Sequence, residues 1–169
     1  MRSTLIILSF IAILFACNNA NDKRPQMPDI KRPMPDHASV GSLSFKLNGQ
    51  LYEADPAHAK AWSLTRMPLA MLIAKNDNGL SVSMQIQNMT GEGNYKLDRD
   101  AKGTVNFAVN GKNYWVRSVT GDDYLNMTVT STKMQATVVL FSGTFEGVLE
   151  DKDGNKVQIT EGKFTTDKL

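Results

Sequence analysis

The chain has almost no cysteine. There is one in 169 residues, Cys17. No disulfide framework and no cysteine-based zinc site is therefore available to it. Histidine is nearly as scarce. His37 and His58 are the only two, too few for a three-histidine metal site or an HExxH helix. Charge of either sign is not in excess: from residue 41 onward there are 14 basic and 14 acidic side chains. That balance argues against nucleic acids and anionic lipid surfaces as partners, both of which require a basic face. No GxSxG nucleophile elbow occurs. Gly91-Glu92-Gly93 lacks the lysine and the strand–helix setting of a phosphate loop. No apolar run approaches the roughly 20 residues that span a bilayer.

What is present begins at the N-terminus. Arg2 is followed by an apolar stretch, residues 5–15, broken only by Ser9, and then by small Ala16 and Cys17. A positive residue, a short apolar run and a small residue, in that order, read as a secretory signal. Leu14-Phe15-Ala16-Cys17 resembles the lipobox of bacterial lipoproteins. The resemblance implies cleavage between Ala16 and Cys17, a diacylglycerol on the Cys17 thiol and an acyl group such as palmitate on its new amine. Phe15 departs from the small or hydroxyl residue preferred there. One acyl chain holds a protein marginally on a membrane, whereas two or more hold it stably. The competing reading is an ordinary signal peptide that happens to be followed by a cysteine.

Composition then divides the chain into residues 1–16, the cleaved signal; 17–40, a tether; and 41–169, the folded domain. The tether carries Pro25, Pro28, Pro33 and Pro35, four of six prolines. Such a segment cannot bury a core and favours extended conformations of about 3 Å per residue. From Gly41 the apolar residues fall at period two. Leu43, Phe45 and Leu47 lead into Asn48-Gly49, a hairpin turn signal. Leu80, Val82, Met84 and Ile86 form a second alternating run. Val105, Phe107 and Val109 form a third, ending at Asn110-Gly111. Residues 69–74 are apolar on both faces and predict a central, covered strand. Leu125, Met127 and Val129 form another face. Ser131-Thr132-Lys133 reads as the turn into a long strand over residues 134 to about 141. Residues 143–149 and 156–164 flank Asp151-Lys152-Asp153-Gly154-Asn155 as a closing hairpin. Asp55-Pro56 opens either a two-turn helix or an irregular strand that carries Trp62 into the core. Gly143, Gly147 and Gly162 fall inside strands and predict bulges or bends. The sum is an all-β domain, an antiparallel sandwich or open barrel of nine to ten strands.

Candidate chemistry is sparse. Asp151, Asp153 and Asn155 place hard oxygens at alternate positions, with Gly154 in between, like the start of a calcium loop. The closing acid is absent: twelve positions on falls at Gly162. The same five residues make a hairpin turn. Asp122 and Asp123 are adjacent, so on a strand they point to opposite faces and form no catalytic pair. They read as loop-solvating residues. Trp62, Trp115, Tyr52, Tyr95, Tyr114 and Tyr124 fill a core or line a pocket. Six methionines from Met67 to Met134 raise the same alternative.

Phe45-Lys46-Leu47-Asn48-Gly49, the Tyr52-Glu53-Ala54 segment after it, and the closing Phe141-Ser142-Gly143-Thr144-Phe145 with Ile159-Thr160-Glu161-Gly162-Lys163-Phe164 resemble the small β-rich lipoproteins of Bacteroidota. The likeness covers about 120 residues. It implies a fold and an address and assigns no catalytic residue. In that phylum an acidic cluster after the cysteine marks surface display. Asn18-Asn19-Ala20-Asn21-Asp22-Lys23 holds one acid, so the periplasmic face of the outer membrane is expected before the cell surface. The expectation is a non-catalytic binding or structural accessory module without cofactor or metal. Its partners would be the membrane, through Cys17, and an envelope protein; nucleic acid is not one. A lipocalin-like carrier with an unfilled barrel is the alternative. A hydrolase using His58 or the Asp122 and Asp123 region is the third reading and requires His58 in a cleft.

Overall fold

Asn-Gly pairs place two of the hairpins, because both turn residues must take positive φ. The computed structural model describes residues 40–65, 68–98, 103–116 and 122–168. Ala16, Cys17, His37 and the tether as far as Ser39 lie outside the described residues, and Val40, the last residue expected in the tether, opens the first strand. Strand β1 (Val40–Leu47) returns through Asn48 (φ 48°) and Gly49 (φ 85°) as β2 (Gln50–Glu53). β7 (Gly103–Val109) returns through Asn110 (φ 50°) and Gly111 (φ 78°) as β8 (Lys112–Trp115). β4 (Leu69–Lys75) and β5 (Leu80–Gln87) are joined by a turn that Asn76 closes with its own side chain. Its Oδ1 accepts the backbone N–H of Asn78 at 2.9 Å and of Leu80 at 3.0 Å.

Between β2 and β4 the structure takes something from each sequence reading. Pro56–His58 form a single 3-10 turn, and the chain then runs as β3 (Lys60–Leu64). Trp62 does not enter the core. Ala61 and Ser63 face inward, and Trp62 lies half-buried on the outer face. β4 is central, between β3 and β5, as expected. Its outer residues Leu69, Met71 and Ile73 are only half-covered, so its two-sided apolarity does not mean two covered faces.

Two further strands differ from the expectation. β6 (Gly93–Leu97) has no clean alternation and was not foreseen. β9 (Tyr124–Gln135) runs straight through Ser131-Thr132-Lys133, and the reversal falls at Ala136-Thr137. Ala136 takes φ 54° there without glycine or asparagine to signal it. β10 (Val138–Glu150) and β11 (Lys156–Lys168) form the closing hairpin where it was predicted. Among the described residues there are eleven strands.

All pairings are antiparallel. The order is β2-β1-β11-β10-β3-β4-β5-β7-β8, with β9 on the other edge of β10 and β6 on β9. β10 is long enough to take β3 and β11 in succession along one edge. Leu140 pairs with Trp62, and Gly143 pairs with Phe164. Where β3 meets β11, the Ala61 N–H donates to buried Thr166 Oγ1 at 2.7 Å. The far end of the path returns to β10 through Glu150 and Trp115. The sheet therefore rolls back on itself, between a sandwich and an open barrel.

Glycine makes that roll possible. A Cβ at Gly143 would fall on the Thr128 carbonyl oxygen, and one at Gly147 on that of Tyr124. Without side chains there, β9 closes onto β10, and the β9–β10 register breaks between Ser142 and Glu146. An extra residue on β11 near Glu161-Gly162 makes a bulge, with Glu161 at φ 52°. Inside, Phe107 of β7 meets Phe45 of β1 edge-on at 5.0 Å and Phe145 of β10 at 6.0 Å. Phe164 packs on Phe141 and Phe145 at 5.6 and 6.3 Å. Rings from opposite sides of the roll occupy its centre.

Candidate binding recess

One end of the roll is not filled by the ring cluster. β3 reaches only the first residues of β10, through Val138, Val139 and Leu140. Beyond Thr130, β9 loses its apolar alternation and buries no further residue, and on the facing arm Val138 and Val139 are only half-buried before Leu140 turns in. A recess of ≈ 490 Å³ opens there. The end of β3 contributes Ser63, Leu64 and Thr65, and Pro68 follows. Met89, Thr90 and Gly91 come from the β5–β6 loop, and Thr132, Met134 and Val139 from the hairpin.

Ser63 (8 % exposed) and Met89 (6 %) make its floor. Met134 (70 %) and Leu64 (43 %) stand at its rim, two of the large apolar side chains this domain exposes. Among the described residues none of this lining is charged, and the Glu92 carboxylate lies beside it on Thr132. The loop forming one wall is tied down at several points. The Asn88 N–H donates to the Pro68 carbonyl. The Tyr95 hydroxyl donates to the Gly91 carbonyl at 2.7 Å and accepts from the Thr90 N–H at 3.4 Å. Glu92 Oε1 accepts the Thr132 N–H at 3.2 Å. Opposite, the Thr65 N–H donates to the Thr137 carbonyl at 3.3 Å, joining β3 to the hairpin turn. These bonds fasten the β5–β6 loop and the hairpin turn beside the recess.

The residues singled out from sequence lie elsewhere, and of these Trp115, Asp151, Asp153 and Asn155 share a smaller recess. Asp151 closes its own turn. Its Oδ1 accepts the N–H groups of Asp153 and Asn155, each at 2.9 Å, and Asn155 Nδ2 reaches Oδ2 at 3.0 Å. The Asn155 side chain, then its backbone N–H, hold the Asp151 carboxyl below its ordinary 3.8, with Asp153 N–H and the Lys112 charge adding to the effect. Asp153 pairs with Lys152 at 3.1 Å. Asn155 turns its amide nitrogen toward Asp151, where a cation would need an oxygen. In the structure Asp151, Asp153 and Asn155 form a self-closed hairpin turn. Among the described residues there is no group of three His, Cys, Asp or Glu placed to hold a metal ion.

Asp122 is exposed and pairs with Lys156 at 3.0 Å. Asp123 does not solvate a loop; it is fully buried. The inward alternation of Leu125 and Met127 extends one step upstream of β9 and turns Asp123 in. The two carboxylates point apart, as their adjacency required. His58 sits exposed on the 3-10 turn with Asp55 Oδ2 at 3.6 Å, not in the cleft a hydrolase would need. Tyr114 is in the core, and Tyr52 stacks on Phe45 at 5.7 Å. Tyr95 alone among the singled-out aromatics serves the recess, by holding its loop.

Sequence reading missed the recess because Thr132 and Met134 were placed in a turn and at a strand start. The available signal was the loss of alternation after Thr130, followed by a lone methionine among polar residues. Among the described residues no helix is long and apolar enough to cross a membrane. In comparison with known proteins, no family model, no curated protein and no solved structure matches the chain.

Proposed function

We propose that this protein is a lipid-anchored protein of the bacterial cell envelope whose β domain binds and does not catalyse. Cys17 carries the acyl groups, and the domain stands on the periplasmic face of the outer membrane as an accessory module. The observation that carries the binding half is the pairing of a filled interior with an uncovered apolar rim. Phe45, Phe107 and Phe145 occupy the place where a barrel carrier would hold its ligand. Met134 and Leu64 instead present apolar surface at a walled recess. Apolar side chains gathered at one concave place favour recognition over simple solubility. The anchoring half rests on the run from Arg2 to Cys17 and on the likeness to Bacteroidota lipoproteins.

The test is fractionation of the native host expressing the parent or Cys17→Ser. The parent is expected in the outer-membrane fraction with the intact mass of an acylated chain beginning at Cys17. The Cys17→Ser protein is expected to lose both the acyl mass and the membrane. A Cys17→Ser protein that remains in the membrane fraction overturns the anchor.

A further inference from the structure

We propose that the recess beside the β9–β10 hairpin binds an uncharged single-chain amphiphile of the monoacylglycerol kind, an inference that rests on reading the domain as a binding module. Its volume, ≈ 490 Å³, falls within the roughly 300–1,000 Å³ typical of small-molecule sites. Its chemistry is two-sided. Met89, Met134, Val139 and Leu64 offer apolar surface, and methionine adapts to an irregular chain. Ser63 and Thr90 add hydroxyl-bearing residues to the same lining, suited to hydroxyl and ester oxygens, while the Thr132 hydroxyl donates to Glu92 Oε1 at 3.5 Å. A carboxylate head would meet the carboxylate of Glu92, which holds the Thr132 N–H at 3.2 Å, and would gain no counter-charge from the described lining residues.

The walls favour a ligand over a flat protein contact. The three ties at Asn88, Tyr95 and Glu92 fasten the β5–β6 loop to its neighbours around the recess. A loop fixed in that way loses little freedom on binding. Met134 stands 70 % exposed at the rim. A ligand chain lying from the Met89 floor to Met134 would cover both.

The experiment uses the full-length acylated protein in phosphatidylcholine nanodiscs with a diazirine-bearing monoacylglycerol. Labelled peptides are identified by mass spectrometry. Saturable labelling is expected on the peptides that hold Met89 and Met134, displaced by unlabelled monoolein and not by oleate. Met134→Glu should reduce it about tenfold, the loss of one buried apolar contact. Leu51→Glu is the control, since Leu51 is also apolar and exposed (56 %) but lies on β2. Both substitutions are at exposed positions, and circular dichroism matched to the parent establishes that each variant is folded. Labelling that Met134→Glu leaves unchanged, or that Leu51→Glu reduces equally, overturns the site. Displacement by oleate as effective as by monoolein overturns the uncharged head. Saturable labelling elsewhere on the domain overturns the recess and leaves a binding module. Labelling that saturates nowhere overturns the site and leaves the binding module, whose partner is then of another chemistry. The intact mass of the same preparation reports the acyl groups separately.

Discussion

Single residues decide two features here. Gly143 is one, because the β9 backbone occupies the space of its missing side chain. Gly143→Ala would drive a methyl into the Thr128 carbonyl, with the Phe164 ring also within contact. Backbone cannot step aside as a flexible side chain does, so we expect a loss of about 1–3 kcal/mol or more in urea unfolding. Asp151 is the other. Its carboxyl is held below 3.8 by the Asn155 side chain and by the turn's N–H groups. The folded state therefore prefers the charged form. The stability this adds is complete above the unfolded value and is lost as pH falls below about 4 toward the lowered folded value. The group is fully solvent-exposed, so the effect is small and screened. Asp151→Asn should flatten that acid limb, leaving parent and variant closer in stability at low pH than at neutral pH. An unchanged pH dependence in paired urea titrations would count against the self-closed turn.

At the scale of elements, the β9–β10 hairpin is the informative one. Its turn has Ala136 in the left-handed region at φ 54°, a conformation costly for any residue with a Cβ. The two Asn-Gly hairpins meet the same demand with residues suited to it. Ala136→Gly should relieve about 1 kcal/mol of strain, somewhat offset by the greater freedom of an unfolded glycine. A thermal melt should show a higher Tm by a few degrees, about 2–4 °C for each kcal/mol retained in a chain this long. A lower Tm would mean that the turn is supported by contacts that glycine loses. Local reading placed this turn at Ser131-Thr132-Lys133 because polar residues after Val129 mimic a loop. They are instead the exposed continuation of a strand whose partner, β10, supplies the pairing as far as Gln135. The same misplacement concealed Thr132 and Met134 as walls of the recess.

Across the whole molecule, stability depends on rings brought from distant strands. Phe107 lies fully buried between Phe45 and Phe145, residues of β1 and β10. Phe107→Ala should cost about 3–5 kcal/mol, a large share of the 5–15 kcal/mol that holds a typical domain. A shifted denaturant midpoint with unchanged cooperativity is the expected result. A fall of less than about 1 kcal/mol would imply that the interior collapses to fill the space. The filled centre also directs the functional reading outward, from an interior carrier to a rim.

Strand content, the two Asn-Gly turns and the Asp151 hairpin were legible from residues alone, because period-two alternation and positive-φ turn chemistry are local properties. So was the need for glycine at residues 143, 147 and 162, although not what each would strike. The run ending at Cys17 was read in sequence alone and lies outside the described residues. The inward turn of Asp123, the outward placement of Trp62, the reversal at Ala136 and the recess itself were decided by tertiary structure. Each depends on which residues meet across the roll. Leu64 and Met134 lie 70 positions apart in the sequence and share a rim only because β10 takes β3 on one edge and β9 on the other.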